Sequence, residues 1–493
     1  MASVASARSL VLRLLLGLPL FVGGCTPPAP PPAVVALNNL PVDSLQLRMI
    51  SEQRRKTSTD ISDPELRGSL AMALEANGLG LLAIEEYRSA AKLAGNDPLW
   101  GYREASVRLD QGETKLALDQ LVSITERFPN FAPAWHKLAV TRLDLGDDPG
   151  AEAALEQLQK LVPESIRVRT TAAEISLTTG DAPGALEILE KVTSEDRQYE
   201  WAYMLLGQTY LRLGQTGPIV ENLLKQTVDA QRKYEEDPRE RQLRTFRAGR
   251  EFEKDVCRTL IQQNRGDVAA ARLIRAIVDF PGDMSLRLLL AQAHQANENE
   301  AATLKVINEM VRIDSSFVPA YLLKADFEIQ RGDRLAESGE GNNKDVRSHY
   351  SVASGSALIA MRHAPDDWRV HFARGRAETK LNNDSSALTH LKKARELEPE
   401  SVEICLWLFE VSWRANDKSL AMNSILAATE IDTTNIFAWA NLGMLHSIDG
   451  NLEQAQAALT RVKELDPVHP AAQSLQGRVD TLRNKLQTSK QGG

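Results

Sequence analysis

Cysteine is nearly absent: Cys25, Cys257 and Cys405 are all that 493 residues contain, which excludes a disulfide-stapled scaffold. Cys257 and Cys405 lie far apart in the chain and read as buried apolar fillers rather than as a bridge. An excess of basic charge is also missing. The formal net charge is −8, and removal of a signal carrying Arg8 and Arg13 makes it more negative, which argues against binding to nucleic acid. The apolar run from Leu14 to Val22 falls well short of the ~20 residues that a membrane-spanning helix needs. The eight histidines form no His-Glu-x-x-His pair and no cysteine-associated metal spacing, and there is neither a Gly-x-Ser-x-Gly elbow nor a phosphate-binding glycine loop. No metal, cofactor or enzymatic activity is therefore expected.

What the chain does have is a beat. Glycine recurs every 34 residues at Gly78, Gly112, Gly146, Gly180 and Gly214, with alanine five places on at Ala83, Ala117, Ala151 and Ala185. The alanine series resumes at Ala353, Ala387, Ala421 and Ala455, and Pro129, Pro163, Pro365, Pro399 and Pro467 each stand twelve places after an alanine of the series. Between Ala134 and Pro163, apolar residues at spacings of three and four mark two short amphipathic helices. Gly146 ends the first, Ala139 and Ala151 let the pair approach closely, and Pro163 stops the second. Phased repetition of such a unit means a helical solenoid, which is first of all a binding surface.

The copies starting at Trp135, Tyr203 and Trp439 resemble the tetratricopeptide repeat family, with its Trp-x2-Leu-Gly-x2-Tyr, Ala-x3-Phe and Pro pattern. The resemblance covers residues 66 to 467 and implies an all-α fold, a right-handed α-solenoid of about eleven helix hairpins. The family lines its concave face with the first helix of each unit. Carried over, Tyr102, Ser106, His136, Val140, Met204, Gln208, Phe437 and Met444 become candidate partner-binding residues, for protein or peptide segments held in the groove. A chaperone-tail carboxylate clamp is not matched, since Gly68, Tyr102 and Met204 stand where it needs lysine.

The phase breaks twice. Residues 231–255 are dense in both charge signs and read as a charged helical insertion, a solvated and lengthened helix pair acting as a spacer. The alternative is a basic contact patch on Arg239, Arg241, Arg244, Arg247 and Arg250, but interleaved acids cancel much of its field. Residues 333–349, which hold Gly339, Gly341, Asn342 and Asn343, read as a loop insertion.

The N-terminus carries its own signal. Arg8, Arg13 and the apolar run end at Val22-Gly23-Gly24-Cys25, which resembles the lipobox of bacterial lipoproteins. That resemblance implies cleavage before Cys25 and acyl chains on it, with Thr26 in place of Asp fitting outer-membrane sorting. The proline-rich stretch from Thr26 to Asn39 could then span on the order of 40 Å from the bilayer at ~3.1 Å per residue.

The organisation expected is a signal peptide (1–24), lipidation site and linker (25–42), capping helix (43–65), repeats (66–230), the charged insertion (231–255), repeats (256–332), the loop (333–349), repeats (350–469) and a capping helix with tail (470–493). By family resemblance the function expected is a lipid-anchored scaffold at the outer membrane, facing the periplasm, that binds partner proteins in envelope assembly, secretion or polysaccharide export. A soluble secreted adaptor is the nearest alternative, and an envelope carbohydrate- or peptidoglycan-modifying enzyme is the alternative of another class.

Overall fold

A computed structural model describes residues 33–37, 40–237, 239–339 and 343–491. The lipobox and Cys25 lie outside the described residues. All regular structure among the described residues is helical, in two compact units that divide between Gly249 and Arg250.

The first unit opens with α1 (Ser44–Thr57), whose N-terminus is closed by a capping box between Asp43 and Gln46. Five hairpins follow: α2 (Pro64–Ala76) with α3 (Gly80–Ala94), α4 (Leu99–Asp110) with α5 (Thr114–Arg127), α6 (Ala132–Asp144) with α7 (Asp148–Leu161), α8 (Ile166–Thr179) with α9 (Ala182–Glu195), and α10 (Glu200–Arg212) with α11 (Pro218–Gln226). A short α12 (Glu240–Thr245) completes the unit.

The second unit stacks six more hairpins: α13 (Arg250–Gln262) with α14 (Gly266–Asp279), α15 (Met284–Ala296) with α16 (Glu300–Ile313), α17 (Val318–Ser338) with α18 (Asn343–His363), α19 (Trp368–Lys380) with α20 (Asp384–Leu397), α21 (Val402–Arg414) with α22 (Lys418–Ile431), and α23 (Ile436–Ile448) with α24 (Leu452–Leu465). The long α25 (Pro470–Gln491) buries Leu475 and Val479 against the last hairpin. Eleven hairpins are therefore present among the described residues, as the repeat count predicts.

The phased glycines do what the sequence implies. Gly78, Gly112, Gly146, Gly180 and Gly214 all hold positive φ at the turn within a hairpin, a conformation that glycine adopts without steric cost. In the second unit the same turn is made by Asn264, Glu298, Asn382 and Asn416, each with φ between 55° and 61°, and by Gly450. The alanines five places on from the first four glycines, and their counterparts from Ala353 to Ala455, are all fully buried, as are Ala269 and Thr303 at the same register. Small side chains at that point let the two helices of each hairpin close on one another.

Both breaks differ from expectation. The stretch expected to be a loop at 333–349 is mostly helix: α17 and α18 each run to 21 residues, against 13 or 14 for the other helices of the second unit's hairpins. Gly332 stands in phase with the turn residues, yet it lies inside α17, where the ring of Tyr350 packs so closely that a Cβ would sit 2.5 Å from it. The helix turns instead at Gly339, and the extra residues lengthen both arms. Conversely, the expected charged helix at 231–255 is a non-helical strap over 231–237, then α12, and from Arg250 the first helix of the sixth hairpin.

The linker also ends sooner than its composition suggests. Val35 is buried in the core of the first hairpins, its amide donates to Glu86 at 2.9 Å, and its carbonyl accepts from Arg54 at 2.8 Å. Glu86 is at the same time paired with the fully buried Arg67 at 2.8 Å. Folded structure thus begins before residue 43, because Glu86 needs hydrogen-bond donors and the linker backbone supplies one.

Candidate binding face of the first unit

The first helices of the hairpins, α2, α4, α6, α8 and α10, present one continuous face, and the strap lies along it. From α11 the chain runs back across that face from the fourth hairpin to the first.

Arg232 enters at α6 and α8. Its guanidinium donates to both carboxylate oxygens of Asp144 at 2.8 Å and to Glu174 at 2.6 Å, while its plane lies 5.2 Å from the ring of Trp201. Burial works against the charge on Arg232, but the hydrogen bonds it donates to Asp144 and Glu174 outweigh it and raise the pKa above the ordinary range. The ammonium of Lys233 stands 4.8 Å from the ring of Tyr199.

Tyr234 then packs edge-on to His136, with ring centroids 5.4 Å apart, and the ammonium of Lys137 lies 4.3 Å from its centre. The amide of Glu235 donates to Nδ1 of His136 at 2.9 Å, and Nε2 of the same ring meets the hydroxyl of Thr171 at 2.8 Å. With Nδ1 accepting, the ring is the neutral tautomer that carries its proton on Nε2. Burial, together with the nearby Lys137, Arg167 and Arg232, pushes its pKa down to about 3.

At the far end Asp237 meets Arg103 at 2.8 Å, and Arg103 also holds Glu240 at 3.1 Å and Glu75. Burial opposes the charge on Arg103, yet Glu75 and the other acids around it raise its pKa well above normal. Flanking pairs join Glu236 to Arg167 at 2.9 Å, Ser165 to Glu235, and Arg239 to Glu65. Past the strap, Leu243 and Phe246 dock on the hydrophobic core, and Asn77 clamps the backbone of Phe246 and Ala248. An open cleft of about 610 Å³ remains beside the strap, lined by Glu75, Tyr102, Asp110 and Lys137 among others.

The candidate residues read from the sequence fall into three groups. Tyr102, Ser106, His136 and Val140 are buried, at 3%, 7%, 1% and 2% exposure, and Tyr102, Ser106 and His136 lie where the strap crosses. Met204 and Gln208 are on α10, with Gln208 exposed and its amide 2.8 Å from the Met204 sulfur. Phe437 and Met444 belong to the second unit, where Phe437 is 63% exposed and packs edge-on to His469. The expectation of an open groove at Tyr102 and His136 is thus corrected: the chain's own residues cover them.

Arg103, Lys137, Asp144 and Glu174 were not among those candidates, although a signal for them exists. Arg103 and Lys137 are 34 apart, as are Asp110 and Asp144, so charge recurs on the first helices in the period of the repeat itself. Cys257 and Cys405 are buried within apolar clusters, where burial raises both thiol pKa values, Cys257 to about 11. Among the described residues no group of three or more His, Cys, Asp or Glu side chains is arranged to hold a metal ion.

No curated protein matches the chain. A family model described as tetratricopeptide repeat matches residues 102–166 and 258–316, and a second of the same description matches 438–469. Among solved structures the chain is similar to YrrB, described as a TPR protein with an unusual peptide-binding site: 20% identity over 42% of this chain and 100% of that one, with a TM-score of 0.33. It is also similar to PilF of Pseudomonas aeruginosa, at 15% identity over 46% of this chain and 96% of that one, TM-score 0.36. PilW, described as a widely conserved type IV pilus biogenesis factor, gives 12% identity over 46% of this chain and 97% of that one, TM-score 0.37. One hairpin thus recurs on both sides of Gly249, and the models match copies of it in each unit, so the chain carries tetratricopeptide repeats in both.

Proposed function

We propose that this protein is a non-enzymatic, membrane-anchored scaffold that binds partner proteins in a bacterial envelope, for assembly, secretion or polysaccharide export. The observation that carries the binding role is the strap: the first-helix face of the first unit holds non-helical polypeptide through matched charges, a ring contact and a backbone hydrogen bond at His136. A face that holds such a segment in cis is chemically equipped to hold one in trans. The anchor rests on Val22-Gly23-Gly24-Cys25, with acyl chains on Cys25 fixing the protein to the outer membrane on its periplasmic side.

Two measurements test the reading. Metabolic labelling with a fatty-acid analogue should mark the wild type and not Cys25→Ala; equal labelling of both removes the anchor. Photo-crosslinkers at the exposed Gln208 and Phe437 should yield a discrete partner in cells. Recovery of bulk abundant protein alone from both positions sinks the adaptor role.

A further inference from the structure

We infer that residues 231–237 are a built-in surrogate ligand, and that their face takes in trans a non-helical peptide bearing a cation, an aromatic ring two residues later and a carboxylate three residues after that. This deepens the adaptor reading and rests on it. The pattern is read from the strap itself. Arg232 satisfies the carboxylates of Asp144 and Glu174, Tyr234 lies between His136 and Lys137, and Asp237 answers Arg103. Polarity is fixed as well, because the segment runs from Glu174 on α8 to Arg103 on α4 and its amide at 235 finds Nδ1 of His136.

The strap is fastened as an interface is, not as a core is. Residues 231–237 contribute no side chain to any of the hydrophobic clusters of the first unit, whereas Leu243 and Phe246 just beyond them do. Its anchors are ion pairs, cation–ring contacts, one ring–ring contact and hydrogen bonds, and a competing peptide of the same pattern can replace those made by Arg232, Tyr234, the amide at 235 and Asp237. Because α11 and the Leu243–Phe246 dock hold the two ends separately, release of the middle leaves the hairpins intact. The cleft of about 610 Å³ alongside gives an incoming chain a place to start.

Tethering makes the strap a strong competitor, since a linked segment acts at an effective concentration near the millimolar range. A ligand therefore binds the wild type more weakly than it binds a protein whose strap is loose.

The test uses a fluorescently labelled peptide of residues 229–239 and the full chain. Arg232→Ala with Tyr234→Ala in the strap should bind the peptide roughly tenfold more tightly than wild type. Adding Asp144→Asn and Glu174→Gln on the face should abolish that gain, as should alanine at the arginine and tyrosine of the peptide. Hydrogen exchange reports whether the strap is released and α2 to α10 remain protected. If the double variant unfolds, replacement of 231–237 by alternating Gly and Ser serves in its place. Equal binding by wild type and a strap-released protein, or no binding by a folded protein whose strap exchanges freely, makes the strap a structural brace and overturns the inference. The adaptor reading is judged separately, by the partners crosslinked from Gln208 and Phe437, so a failed peptide titration leaves it standing.

Discussion

The amide of Glu235 donates to Nδ1 of His136 at 2.9 Å, across 99 residues of sequence, and this bond exists only while the ring is neutral. With the strap docked, burial and the positive charges of Lys137, Arg167 and Arg232 lower the pKa of His136 from 6.5 to about 3. Released into water, the ring returns toward its ordinary value.

The sign of the pH dependence follows. A proton binds the released form more readily than the docked one, so docking is fully supported above about pH 6.5 and is lost progressively as pH falls toward 3. One proton taken up on release shifts the opening equilibrium by about tenfold per pH unit within that window. Hydrogen exchange at residues 231–237, corrected for intrinsic rate, should show faster opening at pH 5 than at pH 6. In His136→Ala that difference should vanish; if it persists, the ring is not the sensor.

Arg103 is the hub of the far end, with Asp237, Glu240 and Glu75 converging on a guanidinium whose side chain is only 5% exposed. Its removal strands carboxylates that are themselves largely out of water, and breaking such a buried pair costs about 3–5 kcal/mol. Arg103→Met should lower the stability of the first unit by an amount of that order in urea unfolding and free the strap in hydrogen exchange. Arg103→Lys should restore little, because a single ammonium cannot reproduce a fork that meets several acids at once. Full stability in Arg103→Lys would show that charge alone, not geometry, holds this end.

Why the repeats were legible and the strap was not is a matter of range. Gly146 makes the turn and Ala151 the close approach within one hairpin, so their roles are written locally and recur at the period of 34. Residues 231–237 have no local signature: charge of both signs is what a solvated helix also carries, and the partners of Arg232 lie 58 and 88 residues away. The outward positions on α4 and α6 were identifiable, but nothing near Tyr102 or His136 in sequence reveals that another part of the chain covers them. Composition misled at 333–349 in the opposite sense, because two glycines and two asparagines outweighed a stretch that continues as helix to Ser338.

The left-handed turn residues of the second unit give a cleaner comparison. Asn416 holds φ of 61° between α21 and α22, where the first unit uses glycine. A β-branched residue there meets its own carbonyl, a cost of about 1–2 kcal/mol. Asn416→Val should destabilise the second unit by that amount in thermal unfolding, while Asn416→Gly should fall within a few tenths of wild type. If valine is tolerated as well as glycine, the turn does not require the left-handed conformation in solution.

Ala387 tests whether the hairpins are as tightly closed as the phased alanines imply. It is fully buried in α20, in a cluster with Phe372, Leu391 and Ile404, and Leu391 lies so near Gly375 of the facing helix that a Cβ there would meet it at 2.6 Å. A longer side chain at 387 must push on those neighbours, so Ala387→Leu should force α19 and α20 apart and cost about 1–3 kcal/mol despite adding apolar surface. Lys392→Leu, on the exposed side of the same helix, controls for the gain in hydrophobicity and should stay within about 0.5 kcal/mol of wild type. Unfolding midpoints that rank the two variants equally, or place Ala387→Leu above wild type, would mean that helix spacing in this hairpin is set by something other than the small residue at its closest approach.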